Sequence, residues 1–132
     1  MSRVRGRDTA PEMAVRKTAH AMGYRYRLYA KDLPGRPDLV FPRLHKAILV
    51  HGCFWHGHEG CKLFRVPSTR PEYWVEKFAA NRARDARVIS ELQNRGWEVL
   101  VIWQCETKDV EALAAKIRSF LSDKPPLAMS RS

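Results

Sequence analysis

The sequence predicts an α/β fold, a mixed central sheet with helices on its faces, and three observations lead there. Stretches with helical periodicity end on recognisable caps, short β-prone runs lie between them, and proline and glycine separate the runs. The resulting order is helix, strand, hairpin, loop, helix, strand, helix.

The first helix is expected over about Pro11 to Met22, because Thr9 and Glu12 have capping-box spacing, Pro11 suits a first turn and Gly23 can close the end. Tyr24, Tyr26 and Leu28 alternate with Arg25 and Arg27, the period of a half-buried strand, and Pro34-Gly35-Arg36-Pro37 then forces a bend. The runs Asp38 to Phe41 and Lys46 to Val50 are joined around Pro42 and predict a hairpin of central strands. His51 to Thr69 has no regular period and is expected to be a long ordered loop, a kind that usually carries function. Pro71 opens a helix with Trp74, Phe78, Val88, Ile89 and Leu92 as apolar positions, and Gly96 ends it. Trp97 to Trp103 predicts another strand, with both tryptophans expected in the core, and Asp109 begins a last amphipathic helix to about Leu121.

A chain of 132 residues suits one domain, with 1–8 and about 123–132 expected as flexible tails. No apolar run approaches the roughly twenty residues that cross a bilayer, and the first residues are basic and polar, so a cytoplasmic protein without a membrane partner is expected. Three cysteines, an odd number, favour metal ligation or burial over a disulfide scaffold. Lys and Arg number 24 against 14 acidic residues, a formal charge of +10, which favours a polyanion such as nucleic acid. A solvated basic surface carries the same charge, so charge names a partner and no chemistry.

The chemistry is concentrated in two places. Asp38, at the start of a strand after a rigid bend, suits a hard divalent cation, although a Pro-Asp pair alone is usually a turn device. The segment from His51 to Cys61 holds three imidazoles, two thiols and two large aromatics in eleven residues. Cys53-x2-His56 with His58-x2-Cys61 would make a complete local zinc knuckle, locking His56 on metal and leaving a non-catalytic DNA-binding module. Phe54, Trp55 and Trp74 suit insertion into a base stack. Arg82, Arg84 and Arg87 on the long helix suit a solvated charged face at least as well as phosphate contact and are left out of the site.

Four stretches carry a more specific signal. Leu33-Pro34-Gly35-Arg36-Pro37-Asp38, His51-Gly52-Cys53-Phe54-Trp55-His56, Thr69-Arg70-Pro71-Glu72-Tyr73-Trp74 and the run Gly96 to Cys105 together resemble the very-short-patch repair (Vsr) endonucleases. The likeness covers about Arg7 to Cys105. It implies a restriction-endonuclease-like core and a monomeric, Mg²⁺-dependent, nucleoid-associated enzyme that nicks double-stranded DNA 5′ of the thymine of a T·G mismatch. It further implies that Asp38 and the main-chain carbonyl of Val50 hold Mg²⁺, that His56 is the base, and that Glu12 and His51 hold metal-bound waters. A structural zinc is implied on His58, Cys61 and Cys105 with Asp85 as fourth ligand, Cys53 remaining unligated. This sorts the two metals by ligand softness.

Overall fold

The structure, a computed structural model, describes residues 9–58 and 60–122; Glu59 and both expected tails lie outside the described residues. Helix α1 (Ala10–Ala21) begins at Thr9, whose side chain accepts from the Glu12 N–H at 3.4 Å. The Glu12 carboxylate serves a different purpose and accepts from the Tyr29 hydroxyl. Glu12, Val15 and Ala19 are the buried residues of α1, so a carboxylate shares the stripe that faces the protein interior.

The strand expected over 24–28 pairs only at β1 (Arg27–Leu28). Tyr24 and Tyr26 pack edge-on against Phe41, so their alternation serves ring packing, not strand pairing. Strands β2 (Leu39–Phe41) and β3 (Lys46–His51) form the expected antiparallel hairpin and are almost wholly buried. Strand β4 (Glu98–Trp103) runs parallel to β3 in register from Lys46↔Glu98 to His51↔Trp103. A parallel pair needs a crossover, and α2 (Pro71–Asn94) lies between these strands in the chain. The sheet order is β1-β2-β3-β4.

Because side chains alternate across a strand, β2 and β3 divide their apolar residues between two clusters. Leu39, Phe41 and Ile48 join Val15 and Ala19 of α1, Ile102, and Leu113, Ile117 and Leu121 of α3 (Val110–Leu121) in the main core. Val40 and Ala47, which pair across the hairpin, form the second cluster with Ala30. Buried Lys46 donates to the carbonyls of Phe120 and Ser122 at the end of α3, a favourable place for a cation. No described helix is long and apolar enough to cross a membrane.

Two readings of β4 need correction. Within the described sheet it is an edge strand, and Ile102 is its only fully buried residue, so neither tryptophan sits in the core proper. Trp97 is half-buried and stacks on His45 with ring centroids 4.5 Å apart, while Trp103 stacks on His58 at 4.0 Å. An unanticipated 3-10 helix, Gln104–Lys108, follows β4 and carries Cys105.

Candidate active site and metal centre

The sheet brings the start of β2 beside the end of β3, and α1, α2 and the long loop close around them. The resulting cleft of about 290 Å³ is lined by Glu12, Asp38, Val50, His51, His56 and Asp85, among others. Asp38 Oδ2 accepts the Val50 N–H at 2.7 Å, which fixes the carboxylate to the neighbouring strand. The Pro-Gly-Arg-Pro bend is pressed against α2: a Cβ on Gly35 would lie 2.4 Å from Val88 Cγ1, and its φ of +71° also favours glycine. Burial pushes the Asp38 carboxyl up to about 7, against the Val50 hydrogen bond and reinforced by the nearby charge of Glu12.

His51 and His56 lie ring on ring, 3.9 Å between centroids and 2° from parallel. His56 Nδ1 is 2.7 Å from Asp85 Oδ2 and His51 Nδ1 is 4.0 Å from the same oxygen. A carboxylate only accepts, so this short bond holds the His56 proton on Nδ1 and leaves Nε2 as the basic nitrogen. Burial, with the adjacent His56, pushes His51 down to about 4 and keeps it neutral at pH 7. Its buried Nδ1 has no hydrogen-bond partner among the described residues. Arg36 and Arg84 also line the cleft, so Arg84, left out of the site on sequence, stands beside the acidic groups.

Asp85 therefore does not join the sulfur ligands. The cluster that forms is Cys53, His58, Cys61 and Cys105, whose donor atoms all lie within 4.8 Å of one another. Cys105 Sγ is 3.6 Å from His58 Nδ1, and the Cys105 N–H donates to Cys53 Sγ at 3.3 Å. The expected fourth ligand is thus replaced by Cys53, and the reason is geometric: the carboxylate of Asp85 is engaged by His56. The purely local knuckle does not form either, because His56 stands with His51 and Asp85 in a separate group. Burial pushes the Cys53 thiol up to about 12 and also raises Cys105, whereas the Leu63 N–H lowers Cys61. Cys53 and Cys105 are therefore costly to ionise unless a cation shares their charge. The donor set, three thiolates and an imidazole, matches a closed tetrahedral zinc centre, and the carboxylates of the cleft match a harder cation.

The loop between the two centres is held from α2. Asn81, itself buried, donates to the Trp55 carbonyl at 2.7 Å, and Arg82 donates twice to the Gly57 carbonyl at 3.1 and 2.7 Å. Gln104 accepts the Cys53 N–H from the other side at 3.1 Å. Phe54 packs edge-on against Trp55 and Phe78 at 5.0 and 5.2 Å, and Trp74 joins the group. Trp55 is 56% exposed and Tyr73 47% exposed at its outer rim, which is unusual for large rings with an apolar cluster beneath them. The sequence reading missed Asn81, Arg82 and Tyr29. Helical spacing puts Asn81 and Arg82 three and four residues after Phe78, on its side of the helix, but does not give the carbonyls of Trp55 and Gly57 that they meet.

Comparison with known proteins decides what this arrangement belongs to. The family model described as DNA mismatch endonuclease Vsr matches residues 1–62. The chain is 52% identical over 121 residues to the Type II nicking enzyme V.XorIIP of Xanthomonas oryzae pv. oryzae, covering 92% of this chain and 88% of that protein. The chain belongs to the Vsr family. It is also 44% identical to the DNA mismatch endonuclease Vsr of Escherichia coli, over 86% of this chain and 72% of that one, and 37% identical to the Type II nicking enzyme V.NmeAIP of Neisseria meningitidis, over 83% and 77%. As a Vsr protein it is a DNA endonuclease, a hydrolase whose substrate is DNA and whose chemistry involves a divalent metal. The α/β core with its mixed sheet fits the restriction-endonuclease-like fold. Membership of an enzyme family displaces the reading of the chain as a non-catalytic module.

Proposed function

We propose that this single-domain Vsr protein acts as a monomer on double-stranded cytoplasmic DNA and nicks one strand 5′ of the thymine of a T·G mismatch. The observation that supports this most is the His56–Asp85 pair, 2.7 Å apart, sharing one cleft with Asp38 and Glu12. In this reading Asp38, with the Val50 carbonyl, holds Mg²⁺, which would neutralise charge on the phosphate and make a bound water more acidic. His56 Nε2 takes the proton of the attacking water, and the negative carboxylate of Asp85 stabilises the positive charge that then forms on the imidazole. Glu12 and neutral His51 orient water around the scissile group. Arg36 and Arg84 supply the cationic edge that phosphate oxygens meet on entering. Cys53, His58, Cys61 and Cys105 hold a structural zinc that stiffens the base of the loop. Phe54, Trp55 and Trp74 form the wedge, with Trp55 exposed at its tip.

A mismatched pair costs less to unstack than a matched one, and each 1.4 kcal/mol saved is worth about tenfold, so the wedge turns weak pairing into selectivity. The test is a panel of end-labelled duplexes carrying T·G, other mismatches or full pairing, incubated with Mg²⁺ and scored for single-strand nicks. Nicking 5′ of the mismatched thymine is expected, with loss of preference in Trp55→Ala and loss of activity in Asp38→Ala. Equal cutting of matched duplexes would refute mismatch selection, and an active Asp38→Ala enzyme would refute the metal assignment.

A further inference from the structure

Tyr29 is not a wall of the cleft, yet it bonds to one of the carboxylates there, that of Glu12, and to the main chain of a second acidic residue, Asp38. Its backbone N–H donates to the Asp38 carbonyl at 3.3 Å, and its hydroxyl donates to Glu12 Oε1 at 2.6 Å. Arg16 donates to that hydroxyl at 2.6 Å and stands 3.5 Å from the same Glu12 oxygen. The guanidinium also lies over the tyrosine ring, 5.6 Å from its centroid. Because the phenol oxygen accepts from Arg16, its single proton is directed at Glu12. The side chain thus has one hydroxyl orientation and Glu12 one fixed oxygen.

The backbone adds a second observation. Tyr29 has φ of 49°, a left-handed conformation that is strained for a bulky side chain and that glycine would adopt freely. Strain of this kind beside a reacting centre is characteristic of residues that hold functional groups in place. A turn alone would be served by glycine, whereas only a side chain with a hydroxyl at this reach bridges to α1.

We propose that Tyr29, backed by Arg16, is a positioning residue of the nicking reaction: it fixes Glu12 Oε1, so that the carboxylate of Glu12, which lines the cleft, is held in one orientation relative to Asp38. This rests on the reading of Asp38 and Glu12 as the acidic groups that serve the catalytic cation and its waters. Partners one bond removed from a metal-serving group typically matter by 10- to 100-fold in activity or metal affinity.

The experiment uses the full chain carrying Tyr29→Phe, which keeps the ring and loses only the hydroxyl. Its kcat on a T·G duplex is expected to fall about 10- to 100-fold with KM for DNA unchanged. Mn²⁺ affinity without DNA, read by electron paramagnetic resonance, is expected to fall alongside kcat. Unchanged kcat and Mn²⁺ affinity overturn the inference, as does a rise in KM with Mn²⁺ binding intact, which would make Tyr29 a DNA contact. Arg16→Met retains the hydroxyl but releases its orientation, and a smaller loss in the same two quantities is expected. If Tyr29→Phe fails to fold, Arg16→Met carries the test, and no change in it overturns the proposal. Asp38→Ala separates the two levels: residual nicking there refutes the reading of the cleft itself, whereas an inactive Asp38→Ala beside an unaffected Tyr29→Phe refutes only the role of Tyr29.

Discussion

At the scale of single residues, Asp38 shows how a functional group is kept at the expense of stability. Its carboxyl has an ordinary value of 3.8 and is pushed up to about 7 by burial, so the folded protein resists its ionisation. Between those two values the folded chain holds a proton that the unfolded chain has released. Stability from this group therefore falls as pH rises from about 4 to about 7, and the full penalty persists above that. Asp38→Asn removes the charge while keeping an oxygen for the Val50 N–H, and is expected to raise metal-free stability at pH 8 by on the order of a few kcal/mol, with little gain at pH 4. Denaturant titrations at both pH values measure this, and a gain of equal size at pH 4 would contradict the assignment. The same variant is expected to lose nicking. A cation at Asp38 competes with its proton, so Mg²⁺ dependence should strengthen as pH rises through 7.

At the scale of elements, one loop contributes to both candidate metal-binding groups, and their independence can be tested by variants that exchange their phenotypes. Cys53→Ser is expected to lose bound zinc and lower the melting temperature, because a structural zinc contributes directly to folding. Asp85→Asn is expected to keep zinc yet slow nicking about a hundredfold or more, through loss of the group that orients His56. Atomic absorption together with nicking assays distinguishes them; zinc loss in Asp85→Asn would restore that residue to the zinc site. This pair also shows what could be read from the sequence. The helices, the hairpin and the final strand follow from period and caps, which are local properties, whereas the parallel pairing of that strand with β3 does not. The fourth zinc ligand does not, because Cys53 and Asp85 are equally plausible by type, and only the approach of α2 to the loop assigns Asp85 to His56. Trp103 was misread for a similar reason: an apolar run looks the same on a central strand and on an edge strand that forms the wall of a site. Glu12 was legible as a capping-box residue, and as a site residue only through the family resemblance, whereas nothing local marks Tyr29 as its partner.

At the scale of the whole molecule, a formal charge of +10 sets how the protein meets DNA. The logarithm of affinity is expected to fall linearly with the logarithm of salt, by roughly 0.9 for each phosphate neutralised, and Arg84→Ala should reduce the slope by about one. Fluorescence anisotropy across a salt series measures both, and a flat response would oppose backbone recognition. The long-range ties of the loop have a further consequence, for the order in which the enzyme becomes active as it is made. His56 leaves the ribosome early, but its loop is moored through Cys53 to the backbone of Cys105 and the side chain of Gln104, and the Cys53–Cys105 tie spans 52 residues. Its orienting partner Asp85 and the strand that completes β3 also emerge late. A nascent or prematurely terminated chain would therefore carry His56, the proposed base, without the anchors that align it, and is expected not to nick DNA, which a nicking assay on a chain stopped before Asp85 checks.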